Sequence, residues 1–281
     1  MTQIHDPVSN TAAPYSMISI FSMMAWGLGY FGMPHILLRF MAIEDENKLG
    51  LSRRIASVWV VISMFVAILI GMIGCGVSAA GKLETFTSSA DSETIIIRLS
   101  GLLGGHGFLL SIVAGIVLAG ILASTMSTAD SQLLTAASSV SQNLLQDFLK
   151  IKMNAKTSMA AARIPVLAVA LVGIILAWDP NSSVFTIVSF AWAGFGAAFG
   201  PVMLFSLFWK RTNFCGALAG MISGGIMVFV WKYGIRPLGG AWNIYELLPA
   251  FLVASAAILL VSLATAPPSE DICRQFDSAS K

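Results

Sequence analysis

Residues 25–35 read Ala25-Trp26-Gly27-Leu28-Gly29-Tyr30-Phe31-Gly32-Met33-Pro34-His35, three glycines and a proline inside an apolar window that runs from 17 to 43. A helix crossing the roughly 30 Å hydrocarbon core of a bilayer needs about 20 apolar residues, and an uninterrupted one would carry larger apolar side chains here. Gly lowers helix stability and Pro removes an N–H, so the window is expected to hold a helix interrupted near its middle. An interruption frees backbone N–H and C=O groups, and in transporters such groups hold solutes and ions. Trp26, Tyr30 and Phe31 would then wall a small, partly apolar solute, with Gly27 and Pro34 shaping the break. The alternative is close helix packing, which glycines alone would serve and which does not require Pro34.

Outward from this window the composition is that of a membrane protein. Hydrophobic residues make up 57% and charged residues only 11%, against roughly a quarter charged in a soluble domain. A water-soluble fold could not cover that much apolar surface, so the lipid bilayer is the expected surrounding. The net charge is +2, and Lys and Arg stand in short clusters at the ends of apolar runs; no continuous basic face points to nucleic acid.

Windows long enough to span occur seven times, near 17–43, 55–80, 107–142, 160–178, 183–209, 214–233 and 246–265. Backbone groups in lipid must be satisfied within their own segment, which predicts helices and an all-α polytopic bundle without strand alternation. Sorting the 16 basic residues across these spans puts twelve on one side, including Arg53, Arg54, Lys150, Lys152, Lys210, Arg211 and Lys281. The other side receives Lys82, Arg98, Lys232 and Arg236. Basic residues accumulate in cytoplasmic loops, so the C-terminus is expected inside and the N-terminus outside. Met1 to Ser16 carries no basic stretch followed by a short apolar run, so it does not read as a secretory signal. An external N-terminus of this kind is most simply explained by further spans ahead of it, and a piece of a longer protein is expected.

The segment from Gly81 to His106 reads as the one sizeable external loop, with Thr94 to Leu103 a short amphipathic helix that either closes as a lid or caps the bundle. The third window carries Ser124-Thr125-Met126-Ser127-Thr128-Ala129-Asp130-Ser131. Ser124, Ser127, Thr128 and Ser131 recur at i, i+3, i+4 and i+7 and share one helical face. Neutral hydroxyls with one or two carbonyls suit a dehydrated Na⁺ without trapping it; bonding of each hydroxyl to the carbonyl one turn back is the competing use. Asp130, an ionisable group at the end of this run, is costly in a span and usually functional there. In the fifth window, Trp192 to Pro201 is glycine-rich with two small-xxx-small steps, which favours close packing against a partner helix. His35 and His106 stand alone, Cys75, Cys215 and Cys273 have no metal or redox spacing, and no nucleophile triad or phosphate loop marks an enzyme.

WGLGYFGMPHILLRFMA at 26–42, MSTADSQLL at 126–134 and SFAWAGFGAAFGPVMLFSLFWKR at 189–211 resemble the sodium:solute symporter family, most closely its proline-carrying branch. The likeness extends to GALAGMISG at 216–224 and YELLPAF at 245–251. The resemblance implies sodium-coupled symport of a small solute, L-proline first, with Na⁺ as coupling ion and no other cofactor, in a bacterial plasma membrane. It also implies an inverted-repeat, leucine-transporter-type fold forming a single transmembrane domain, with the second repeat over 17–209, two more spans over 214–265 and a cytoplasmic tail at 266–281. Trp26, Gly27, Tyr30, Phe31 and Pro34 fall on the solute side; Ser127 and Thr128 would give side-chain oxygens and Ser124 a carbonyl to Na⁺, with Asp130 and Ser131 accessory. The family needs more spans upstream to complete both sites, so an N-terminal half supplied separately is a further expected partner. Another amino acid or a small carboxylate as solute, and a non-transporting sensory module, are the alternatives.

Overall fold

The computed structural model describes residues 3–6, 11–14, 16–86, 88–178 and 183–279. Lys281, counted above with the cytoplasmic basic residues, lies outside them, as does part of the segment ahead of Ser16.

Strands β1 (Gln3–Asp6) and β2 (Thr11–Pro14) pair antiparallel, Gln3 opposite Pro14 and Asp6 opposite Thr11. This hairpin was not expected; it precedes the first apolar window, where the bilayer's demand for helix does not act. The rest is helical: α1 (Met17–Met24), a 3-10 segment Ala25–Gly32, α2 (Pro34–Met41), α3 (Leu49–Ala79), α4 (Ser89–Glu93) and α5 (Ile95–Gly104). Then come α6 (Phe108–Ser138), which runs on as π-helix over Ser139–Phe148, α7 (Ala155–Leu176), α8 (Val184–Phe208) and α9 (Phe214–Val230). After a π-turn Trp231–Ile235 follow α10 (Leu247–Ala264) and α11 (Glu270–Ala279). Among the described residues six helical stretches are long and apolar enough to cross a membrane, at 46–79, 108–148, 156–176, 184–208, 214–238 and 247–264. The first of the seven expected windows is broken into α1, the 3-10 segment and α2, as its glycines and Pro34 predict.

The chain forms two compact units, Met1–Ala42 with Phe185–Lys281, and Ile43–Val184. In the first unit the core is made by Ala193 and Ala197 of α8, Val228 of α9 and Leu247, Ala250 and Phe251 at the start of α10. Small residues let these helices approach closely: a Cβ on Gly220 would stand 2.4 Å from Ile258, and one on Gly224 would stand 2.4 Å from the Ala197 carbonyl oxygen. Packing of this kind holds membrane helices together where lipid removes the hydrophobic drive between them.

Asn213 ties the two ends of the α9–α10 pair. Its Oδ1 accepts from the Gly216 N–H at 2.8 Å, capping α9, while its Nδ2 donates to Thr265 Oγ1 and to the Ala266 carbonyl, both at 2.7 Å. Asn213→Ala removes the cap and both side-chain donations, so a loss of about 1–2 kcal/mol is expected. Thermal unfolding of the detergent-solubilised chain followed by tryptophan fluorescence reads it; an unchanged midpoint would count against the tie.

In the second unit α5 lies on α3 and turns back into α6. Gly74 of α3 meets Ile95, whose side chain occupies the space a Cβ would need. Gly107 makes the turn with φ 119°, a region that side chains rarely enter, and Ser111 Oγ donates to the Gly104 carbonyl at 2.7 Å across it. The amphipathic helix expected at 94–103 is therefore present one residue on, packed against two spans.

Candidate solute and ion sites

The residues expected on the solute side, Trp26, Gly27, Tyr30, Phe31 and Pro34, stand at the break. Met33 leaves the 3-10 segment in extended conformation, φ −80° and ψ 114°, and Pro34 opens α2 at its first turn. Pro34 has no N–H, so it cannot supply the donor that a continuous α-helix would bring to the Tyr30 carbonyl one turn back. Trp26 is half-buried and stacks on Phe185 (5.2 Å between centroids), Trp192 (5.6 Å) and Tyr245 (5.7 Å). Trp192 Nε1 donates to the Trp26 carbonyl at 3.0 Å, and Tyr30 meets the Trp192 ring edge-on at 4.8 Å. Tyr30 and Phe31 are themselves exposed, and Gly27 has open space where a Cβ would stand.

The glycines of α8 receive the break. A Cβ on Gly196 would stand 2.7 Å from Gly29 Cα, and one on Gly32 would stand 2.4 Å from the Phe195 carbonyl oxygen. Backbone thus lies on backbone, so both readings of the glycines hold: they permit the interruption and seat it on its neighbour.

Trp192, Phe185 and Tyr245 were not singled out from the sequence as site residues. Tyr245 carries the most: its N–H donates to Ser22 Oγ and its hydroxyl to the Ser189 carbonyl, each at 2.6 Å, joining α1 to α8 beneath the Trp26 stack. Burial, then the neighbouring Glu246 charge, pushes the Tyr245 phenol well above its usual range, so it stays protonated and keeps donating. Glu246, also missed, has a side chain only 2% exposed. Its Oε2 accepts from Arg236 Nη1 at 2.8 Å and its Oε1 lies 3.9 Å from Lys232 Nζ, which sits 3.8 Å from the Phe190 ring centre. The only sequence signal was a carboxylate directly ahead of an apolar run, close to two of the four basic residues on the minority side. Glu246→Ala strands both cations, but Arg236 is 41% and Lys232 22% exposed and both can rehydrate. The expected cost is about 2 kcal/mol, below that of a fully buried pair, read as a lower thermal midpoint that Glu246→Asp restores in part.

The hydroxyl-rich run is a regular stretch of α6 in the second unit. Thr128 Oγ1 donates to the Ser124 carbonyl at 3.2 Å, Ser131 Oγ to the Ser127 carbonyl at 3.0 Å and Thr125 Oγ1 to the Ile121 carbonyl at 2.9 Å. Three of these hydroxyls therefore make the bond one turn back that competes with ion binding. Ser127 Oγ has no partner among the described residues. The Ser124 carbonyl, Ser127 Oγ and Thr128 Oγ1 lie within two turns of one exposed face, while Asp130 is exposed near its end.

This arrangement defines a class: a multi-pass membrane helix bundle whose opening span is broken at an aromatic niche, the build of a secondary transporter. Residues 2–224 match the model of the sodium:solute symporter family. The sodium/proline symporter of Haemophilus influenzae is 42% identical over 265 residues, 94% of this chain and 51% of that protein. The high-affinity proline transporter PutP of Bacillus subtilis is 40% identical over 262 residues (93% and 53%), and the sodium/proline symporter of Escherichia coli 39% over 264 (94% and 51%). No solved structure matches. The chain belongs to the sodium:solute symporter family, a family of transporters and not of enzymes. It spans about half the length of the curated relatives it matches.

Proposed function

We propose that the chain is part of a sodium-coupled symporter carrying L-proline across a bacterial plasma membrane by alternating access. The observation that supports this most is the broken first span, with Trp26 in an aromatic stack and Pro34 opening α2 without an N–H, in a chain 42% identical to a protein named sodium/proline symporter. Exposed Tyr30 and Phe31 offer ring faces to the pyrrolidine, and backbone carbonyls at the break accept from the solute's ammonium. The Ser124 carbonyl and the Ser127 and Thr128 hydroxyls contribute to the Na⁺ shell, with Asp130 and Ser131 accessory at the hydrated end. Na⁺ favours the outward-open state, so solute release inside follows the ion gradient. The remaining ligands of both sites come from sequence that the relatives carry beyond the matched half, in one polypeptide or supplied separately. The twelve-to-four division of basic residues supports an external N-terminus and a cytoplasmic C-terminus.

The test is uptake of radiolabelled proline in transport-deficient cells by this chain joined to the unmatched half of the Haemophilus influenzae relative. Sodium-dependent uptake that unlabelled proline suppresses, and other amino acids and small carboxylates do not, is expected. Sodium-dependent uptake suppressed by one of those solutes instead would replace proline, and none at all would defeat the reading.

A further inference from the structure

A cleft of about 660 Å³ lies within the second unit, between α3, α5 and α6. Its walls are apolar: Ile70, Ile73 and Val77 from α3, Leu99 and Leu103 from α5, and Val117 from α6. Ile70 lies nine residues before the end of α3 and Val117 nine after the start of α6, so at 1.5 Å per residue the cleft reaches about 14 Å from the loop into the spans. A zwitterionic solute would leave its charges unmatched against these walls.

The polar groups stand at the loop end. Lys82 and His106 line the mouth. The carboxylates of the same loop are already engaged: Glu84 and Asp91 pair with Arg98 at 3.6 and 3.0 Å, and Glu93 accepts from Ser183 Oγ at 2.6 Å and the Val184 N–H at 3.1 Å. Lys82 has no ion-pair partner among the described residues. His106 Nδ1 bonds the Leu102 carbonyl at 2.8 Å, which makes that nitrogen the donor and, in the neutral ring, leaves Nε2 to accept.

We propose that this cleft binds one acyl chain of an anionic phospholipid of the phosphatidylglycerol type, with the phosphate on the Lys82 ammonium and a headgroup hydroxyl donating to His106 Nε2. Apolar depth with a single unneutralised cation at the mouth matches a lipid's own polarity, and Lys side chains at the ends of membrane helices reach for headgroups.

Native mass spectrometry of the full chain, released from vesicles of equal phosphatidylglycerol and phosphatidylcholine with identical acyl chains, tests it. One retained phosphatidylglycerol, about fivefold over phosphatidylcholine, is expected. Lys82→Gln should abolish that preference and Lys82→Arg keep it, while Leu99→Trp fills the cleft and removes the lipid with the cation intact. Because Lys82 is exposed, its variants decide the matter even if Leu99→Trp does not fold. Equal retention of the two lipids, or a preference unchanged in Lys82→Gln, would overturn the proposal. So would loss of the lipid when the relative's unmatched half is joined, since protein would then cover the cleft.

Discussion

Half-maximal proline uptake by the joined symporter is expected to need about tenfold more Na⁺ after Ser127→Ala, and at least as much more after Thr128→Ala. Ser127 Oγ has no competing partner among the described residues, so its lone pairs are available to a cation without breaking a bond. Thr128 Oγ1 and the Ser124 carbonyl oxygen are 3.2 Å apart. Two oxygens at that spacing subtend close to a right angle at a cation about 2.4 Å from each, a normal angle in an oxygen shell. Methyl in place of either hydroxyl removes an oxygen, at a cost of about 1.5–3 kcal/mol for a bond to a charged group. Ser131→Ala is the comparison: Ser131 is only an accessory group one turn beyond Ser127, so the Na⁺ requirement should move less. Equal shifts for Ser127→Ala and Ser131→Ala, measured as uptake against Na⁺ concentration, would remove the Na⁺ assignment from Ser127.

Gly196→Ala should destabilise the first unit by about 3 kcal/mol and abolish uptake. The added Cβ would stand 2.7 Å from Gly29 Cα and 3.0 Å from Leu247 Cδ1, and the nearer contact is backbone, which cannot rotate away. Relief requires the broken segment to lift from α8, taking Trp26 out of its stack with Trp192. Gly194→Ala, two residues away with nothing within 4 Å, should be neutral or stabilise slightly through helix propensity. The thermal midpoints of the two variants measure the contrast; matching midpoints would mean that α8 does not seat the break.

The break itself was legible because Gly and Pro act locally: Gly27, Gly29, Gly32 and Pro34 lower helix stability wherever the chain goes. The helix at 95–104 was legible for a similar reason, since its apolar period and glycine end lie within ten residues. The aromatic niche was not. Trp26 and Trp192 are 166 residues apart, and an aromatic residue in an apolar window has no local signal saying which distant ring it will meet. The seat for the break was half legible: the small-residue steps of α8 announced close packing, but only the structure shows Gly29 and Gly32 as the partners. Glu246 was hidden because its partners, Lys232 and Arg236, arrive through the π-turn Trp231–Ile235 and a 3-10 turn at Arg236–Leu238, whose paths short propensities do not determine. On α6 the hydroxyl face could be read from spacing, whereas the release of Ser127 from the bonds its neighbours make could not.

The most direct test is proline accumulation by proteoliposomes containing the joined symporter, with an inward Na⁺ gradient imposed and then collapsed by a sodium ionophore. Accumulation above the external proline concentration that appears with the gradient and drains when it collapses is the expected result. Proline that equilibrates to the same level with and without the gradient would contradict sodium-coupled symport.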